Sequence, residues 1–170
     1  MKKILILVAT LLISISAFSQ KYAFIDTEYI LNNIPSYKAA QDKLDAMSAE
    51  WQKEIEAKRA EIEKMYKEYQ SEKVLLTEDM KQKREQEILK KEKEVRDLQN
   101  NYFGQQGQLF EKRKELIKPI QDELYAAVKD LAEKQGFAAI FDSSSGMTMI
   151  YTDPKFDKSD EVLKIMGYKN

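Results

Sequence analysis

The fold is decided by the stretch SYKAAQDKLDAMSAEWQKEIEAKRAEIEKMYKEYQSEKVLLTED, residues 36–79. It opens a run of 68 residues, Ser36 to Phe103, that contains neither Gly nor Pro. Apolar side chains recur in steps of three and four among charged ones, a spacing that predicts the apolar row of a coiled coil. That row consists of Tyr37, Ala40, Leu44, Met47, Trp51, Ile55, Ile62, Met65, Tyr69 and Leu76.

The segment VLLTED, residues 74–79, predicts that the chain reverses there. Thr77 can cap a new helix, and the two acidic residues after it suit the positive end of a helix dipole. A helix over 36–73 would then pair with a second helix over 78–135, with Leu44 opposite roughly residue 108 and Trp51 opposite roughly residue 101. One uninterrupted helix of about 100 residues is the alternative. The slip of four from Trp51 to Ile55 should relax the supercoil locally.

The second predicted helix carries two apolar rows at seven-residue spacing and three weak points. Each Gly costs about 1 kcal/mol relative to Ala, and Pro removes one helical hydrogen bond. Since the spacing continues across Gly104, Gly107 and Pro119, we interpret them as flexible joints inside one helix; for the glycines, tolerated imperfection is an equal alternative. The rows are Ile88, Val95, Tyr102, Leu109 and Leu116, and Phe103, Phe110, Ile117, Leu124 and Leu131.

Short strands are predicted on both sides of these helices. YAFID, residues 22–26, is rich in aromatic and β-branched types, and the segment 32–35 then breaks the chain before a helix. After Gly136, which can end a helix in the left-handed conformation, residues 137–141 and 147–152 predict two strands around a Ser/Gly turn. Three strands are marginal in isolation, so several copies of the chain should combine.

A short helix is predicted at the carboxyl end of the chain. Ser159, Asp160 and Glu161 suit its start, and Gly167 suits its end. Val162, Leu163 and Met166 could cover one face of the sheet.

The first 19 residues, MKKILILVATLLISISAFS, predict a secretory signal cleaved after Ser19. Two lysines precede an apolar run that is too short for a membrane span, which needs about 20 residues. The chain contains no Cys, so neither a lipid-bearing Cys nor a disulfide is expected.

Composition argues against several classes of function. Charged residues make up 34% of the chain, but the 28 basic and 29 acidic side chains nearly balance, so a general basic field for nucleic acid is absent. The chain has no His and no Cys, the commonest catalytic bases, nucleophiles and metal ligands. Asp26, Glu28, Asp142 and Asp153 could form a carboxylate pair or metal site, but such acids usually form turns. We therefore expect no enzyme, no cofactor and no metal.

Three segments together carry a family resemblance: KYAFIDTEYILNNIP (21–35), IQDELYAAVKDLAEKQGFAAIFDSSSGMTMIY (120–151) and DEVLKIM (160–166). With the signal and the charged helical hairpin between them, they closely resemble the Skp (OmpH) family of periplasmic chaperones over essentially the whole mature chain. The resemblance implies a mainly α fold with a small β part. A coiled-coil arm over 36–115 would project from a β body, residues 20–35 and 116–170, that is built by trimerisation.

The family's members hold unfolded outer-membrane β-barrel proteins in the cavity between three arms, without ATP, and the resemblance implies the same here. Candidate client contacts are Met65, Tyr66, Tyr69, Val74, Leu75, Leu76, Met80, Tyr102, Phe103 and Phe110; the alternative for each is that it only pairs the two helices. The oligomerisation body would use Tyr22, Phe24, Phe137, Ile140, Phe141, Met149 and Tyr151.

One property departs from the family and one alternative stays open. Known members are strongly basic, whereas this chain is slightly acidic, which leaves membrane or lipopolysaccharide contact an open question. Its plausible location is Lys81, Lys83, Arg84, Lys90, Lys91 and Lys93. Heptads alone also fit a structural spacer or adaptor of the cell envelope, which would have rigid arms and one folded partner.

Overall fold

A computed structural model describes residues 21–146 and 150–169. The described chain is mainly helical with a small sheet, which confirms the predicted fold class. Two compact units are distinguished, one of Ile34–Glu123 and one of the described residues on either side of it. The elements are β1 (Lys21–Ile25), α1 (Thr27–Asn32), α2 (Pro35–Glu72), α3 (Glu78–Phe103), α4 (Gln108–Gln135), β2 (Phe137–Asp142), a short 3-10 helix (Pro154–Phe156) and α5 (Ser159–Ile165).

The predicted reversal is confirmed. Helix α2 starts at Pro35, whose fixed φ suits a first helical turn, and ends at Glu72. After a five-residue turn, Thr77 caps α3, its hydroxyl accepting a hydrogen bond of 3.4 Å from the Met80 N–H. Among the described residues, no helix has an apolar stretch long enough to cross a bilayer.

Part of the predicted apolar rows forms the core between α2 and α3. Five buried side chains make one cluster, with half-buried neighbours packed against it. We call this set the hairpin core. Its buried members are Ile55, Ile62, Tyr69, Ile88 and Val95, and its half-buried members are Met65, Leu76, Leu98, Tyr102 and Phe103.

The prediction of one helix over 78–135 is wrong at the glycines. Helix α3 ends at Phe103, and the Gly104 N–H donates to the Asn100 carbonyl at 2.8 Å. A Cβ on Gly104 would lie 2.4 Å from that same carbonyl oxygen, so the chain can leave the helix in this way only with Gly. The glycines therefore separate two helices. Pro119, in contrast, lies inside α4, which continues through it.

The sheet differs from the predicted one. Strand β1 pairs with β2 in parallel, with Phe24 opposite Phe141. The predicted partner strand 147–152 is wrong over residues 150–152, which lie outside any strand, while residues 147–149 fall outside the described part. On the other side of β1, the Lys158 N–H donates to the Phe24 carbonyl at 2.8 Å. Parallel strands need a crossover, and here the long helices provide it.

Two short helices pack together beside this sheet. Helix α1 was not predicted; Asp26 caps it, accepting a hydrogen bond of 2.8 Å from the Tyr29 N–H. Helix α5 was predicted, but its N-cap residue is Lys158, which makes no side-chain cap bond. One residue earlier, Asp157 accepts from the Ser159 N–H at 2.9 Å. Gly136 and Gly167 follow their helices with φ of 69° and 81°, as predicted. The buried side chains of this unit include Ala23, Ile25, Ile30, Val162 and Leu163.

Candidate functional site

The turn between α2 and α3 exposes two adjacent apolar side chains. Val74 is 91% exposed and Leu75 is 85% exposed, whereas the next residue, Leu76, packs against the hairpin core. The Leu75 N–H donates to the Glu72 carbonyl at 2.8 Å, so the turn has a defined backbone. We call Val74 and Leu75 the apolar turn. The hairpin does not need these side chains for its own packing, which leaves them available for contacts with another molecule.

The predicted client contacts fall into two groups. Met65, Tyr69, Leu76, Tyr102 and Phe103 belong to the hairpin core, and this packing favours the alternative that they pair the two helices. The exposed group consists of Tyr66, Val74, Leu75, Met80 and Phe110.

Sequence reasoning missed Leu89 and Tyr125, which are 57% and 72% exposed. Leu89 directly follows the buried Ile88, and consecutive helical residues do not share a face. The position of Leu89 next to the apolar row, and not in it, therefore indicated in the sequence that its side chain would be exposed.

Tyrosine hydroxyls fasten α2 to α3 at three levels. Tyr66 donates to Glu92 at 3.0 Å, Tyr102 donates to Glu54 at 2.7 Å, and Tyr69 donates to Glu85. Each hydrogen bond to a carboxylate raises the pKa of its tyrosine, that of Tyr69 to about 12. These hydroxyls therefore stay protonated as donors, and Tyr66 is held by its hydrogen bond although the residue is 40% exposed.

The predicted body residues form an aromatic face on the sheet. Ala23 and Ile25 of β1 are buried, while Tyr22 and Phe24, on the opposite face, are only partly covered. The Phe141 ring lies 6.1 Å from that of Tyr22 and 5.8 Å from that of Phe24.

The other predicted body residues differ in their exposure. Phe137 and Ile140 of β2 are half-buried, and Tyr151 is largely exposed, as is its neighbour Ile150. Met149 lies outside the described residues.

Three of the six basic residues proposed for membrane contact are paired within the chain. Lys81 lies 2.7 Å from Glu78, Arg84 lies 3.7 Å from Glu72, and Lys91 lies 3.1 Å from Glu94. The bonds from the two lysines lower the pKa of Glu78 and of Glu94. The positive charge of Lys81, Arg84 and Lys91 is thus partly compensated by acidic side chains of the same hairpin.

Three of the four predicted acidic residues, Asp26, Asp142 and Asp153, serve as caps or turn formers, and Glu28 lies in the first turn of α1. Asp142 accepts from the Thr27 hydroxyl at 2.8 Å and from Ser144; burial alone would raise its pKa, but these hydrogen bonds hold the pKa below its usual value. Asp153 caps the 3-10 helix through the Lys155 N–H. No cluster of three His, Cys, Asp or Glu side chains that could hold a metal ion occurs in residues 21–146 and 150–169.

Comparisons with known proteins agree with this architecture. The sequence model of OmpH-like outer membrane proteins matches residues 21–166. An uncharacterized protein of Aquifex aeolicus (strain VF5) is 35% identical over 164 residues, which cover 96% of this chain and 95% of that protein. The crystal structure of a candidate outer membrane chaperone (OmpH-like) from Caulobacter crescentus CB15 aligns with a TM-score of 0.65 over 88% of this chain and 83% of that one. At 12% identity, this last likeness establishes the fold.

Proposed function

This chain belongs to the OmpH-like family, and we propose on that ground that it is an ATP-independent periplasmic chaperone for unfolded outer-membrane β-barrel proteins. The observation that carries the proposal is the extent of the family match, residues 21–166, which includes the apolar turn and both strands. The chain would hold its clients in a cavity between the arms of a homotrimer and prevent their aggregation. Cleavage after Ser19 would release it into the periplasm.

Client binding would use exposed apolar side chains that the hairpin's own core does not occupy. An unfolded barrel protein presents alternating apolar residues and unpaired strand edges, which aggregate if left exposed. The apolar turn and the exposed Tyr66, Leu89 and Phe110 offer several small contacts. Each contact alone is too weak to retain an unfolded client, but several acting together can hold it reversibly. Met80 adds a side chain that adapts to different partners.

Trimerisation would cover the aromatic face of the sheet. A two-stranded sheet is marginal alone, and Tyr22, Phe24 and Phe141, whose rings are tilted against one another, are only partly buried. Tyr151 and Ile150, next to the undescribed segment, add further exposed apolar surface in the same unit. Second and third copies of this chain would bury these groups and complete the β body.

The test is native mass spectrometry of the mature chain, alone and after mixing with a urea-unfolded outer-membrane barrel protein. A trimer alone, and a trimer carrying one client in the mixture, are expected. A dimer, or a trimer that ignores the client, would overturn the proposal and favour a structural spacer of the envelope.

A double substitution, Val74→Ser with Leu75→Ser, tests the apolar turn. It should leave the trimer intact and weaken suppression of client aggregation, measured by light scattering. Gln70→Ser, at an exposed polar position near the end of α2, is the matched control and should act like the unsubstituted chain. Unchanged suppression by the double variant would remove the apolar turn from the client surface.

A further inference from the structure

Three aromatic rings meet immediately before the break between α3 and α4. Trp51 of α2 stacks on Tyr102 with ring centroids 4.7 Å apart and planes 5° apart. Phe103 meets the same indole edge-on at 6.1 Å and 79°. We call Trp51, Tyr102 and Phe103 the aromatic clamp. Stacked and edge-on pairs of this kind are both favourable beyond the area they bury.

A hydrogen bond reinforces the clamp. The Tyr102 hydroxyl donates to Glu54 of α2 at 2.7 Å, one helical turn along from Trp51. The last two residues of α3 are thus attached to α2 through two ring contacts and one charge-assisted bond. Both residues are also half-buried against the hairpin core. The end of α3 is therefore fixed to α2 just before the helix stops.

Beyond the clamp, one helix of the pair is interrupted while the other continues. Residues 104–107 lie outside any helix, and α2 runs unbroken from Pro35 to Glu72. A Cβ on Gly107 would lie 2.8 Å from the Tyr102 carbonyl oxygen, so this backbone arrangement needs Gly there as well as at Gly104. Only one continuous helix resists bending at this level, whereas two paired helices resist it at the hairpin core.

The burial pattern of α2 changes at the same level. The buried positions Leu44 and Ile55 are eleven residues apart, and Trp51 lies between them. From Ile55 onward the buried positions are seven apart. Eleven-residue spacing favours a right-handed supercoil, and seven-residue spacing favours a left-handed one. The change of supercoil and the helix break thus occur side by side.

We propose that the aromatic clamp anchors a single bending joint at residues 104–107. The hairpin from Gln52 to Phe103 would move as one body about this joint, relative to residues 34–50 and 108–123. Pro119 would not be a joint, because α4 continues through it with Ile117 and Ile120 buried on either side. This proposal rests on the geometry of residues 34–123 alone and does not depend on client binding.

The test measures distances between pairs of spin labels by pulsed electron paramagnetic resonance. The chain has no native Cys, so two cysteines introduced at chosen exposed positions are the only sites that take the label. One pair, Ala57→Cys with Lys114→Cys, spans the joint; the control pair, Ala57→Cys with Lys83→Cys, lies on one side of it. Both pairs should be separated by roughly 20 to 30 Å at 1.5 Å of rise per residue. Dilution with unlabelled chain restricts the signal to distances within one copy.

The pair that spans the joint should give the broader distance distribution, and Trp51→Ala should broaden that pair alone. Tyr102→Phe keeps the ring but loses the bond to Glu54, so it should broaden the same pair less. Tyr66→Phe, which removes a tyrosine–glutamate bond far from the joint, is the control and should change neither pair.

Equal widths for the two pairs in the unsubstituted chain would overturn the proposal. Equal broadening of both pairs by Trp51→Ala would also overturn it, because the substitution would then have loosened the whole hairpin. If circular dichroism shows that Trp51→Ala lowers the helical content, that variant is set aside. The distance distributions of the unsubstituted chain and of Tyr102→Phe then test the proposed joint.

Discussion

The hairpin and the sheet-containing unit differ in how far apart in sequence their contacting residues lie. In the hairpin, α2 and α3 are joined by five residues, and the core is built from neighbours across that turn. In the other unit, β1 pairs with β2, so Phe24 meets Phe141 across more than a hundred residues. Local contacts form with little loss of chain entropy, whereas distant ones must first close a long loop. We therefore expect a destabilising substitution in the hairpin to loosen only the residues around it. In the sheet-containing unit, such a substitution should destabilise the whole unit.

Leu163→Ala should have the largest effect. Leu163 is 1% exposed and is among the most buried of the described side chains, so truncation should cost about 2–5 kcal/mol. Hydrogen exchange should show lost protection in α5 and also in β1, far away in sequence. Ile165→Ala, at a partly exposed position of the same helix, is the control. Retained protection of β1 would contradict the cooperative behaviour assigned to this unit.

Ile88→Ala tests the local behaviour of the hairpin. Its side chain is buried in the hairpin core, and a cost of about 2–3 kcal/mol is expected because half-buried neighbours can shift to fill part of the space. Loss of exchange protection should be confined to α2 and α3 around Ile62 and Val95. The adjacent exposed Leu89→Ala should have little effect on stability. If Ile88→Ala also lowered hydrogen-exchange protection in β1, the expected difference between a locally responding hairpin and a cooperative sheet-containing unit would be wrong.

Ser159→Ala tests a buried polar group in the sheet-containing unit. Its hydroxyl accepts from the Asp26 N–H at 2.8 Å and donates to Asp157 at 2.6 Å. Truncation leaves the Asp26 N–H without this acceptor, at a cost of about 1–3 kcal/mol in urea unfolding. Ser145→Ala, which removes an exposed serine hydroxyl, should change stability much less. Equal effects of the two variants would show that burial does not set the cost here.

The smallest effect is expected for Tyr69→Phe, and it should depend on pH. The bond to Glu85 raises the pKa of Tyr69 to about 12, above its value of about 10 in an unfolded chain. The contribution of this tyrosine to stability is therefore complete below about pH 10 and is lost as the pH rises towards 12. The melting temperature of the parent should thus fall more steeply than that of Tyr69→Phe over this range. Parallel curves would contradict the prediction, and Tyr125→Phe, with an exposed ring, is the control.

Much of the hairpin could be predicted because its signals are local. The bounds of α2, the reversal, the Thr77 cap and the buried rows follow from residues only a few positions apart. The helix break was misjudged because heptad spacing continues across Gly104 and Gly107. The backbone at Gly104 and Gly107 follows a path on which a Cβ would clash with nearby carbonyl oxygens. The heptad spacing of the apolar residues contains no information about that path.

The candidate site was predicted less completely. The apolar turn was found because it lies between two helices, and apolar residues at a turn are unusual. Tyr69 and Tyr102 were candidates for client contact as well, since the sequence does not show that Glu85 and Glu54 lie close enough to bond them. Helix α1 was missed because its six residues are too few for a periodic signal.

The sequence by itself determined that this chain is a long charged helical hairpin with a small β part and that it resembles a known chaperone family. Those properties depend on periodicity, helix caps and short motifs, all of which act over a few residues. Only the tertiary structure decided that β1 pairs in parallel with β2, that Lys158 and not Ser159 is the N-cap residue of α5, and which apolar side chains remain exposed. These outcomes depend on which distant segments meet, and that is set by the packing of the whole unit.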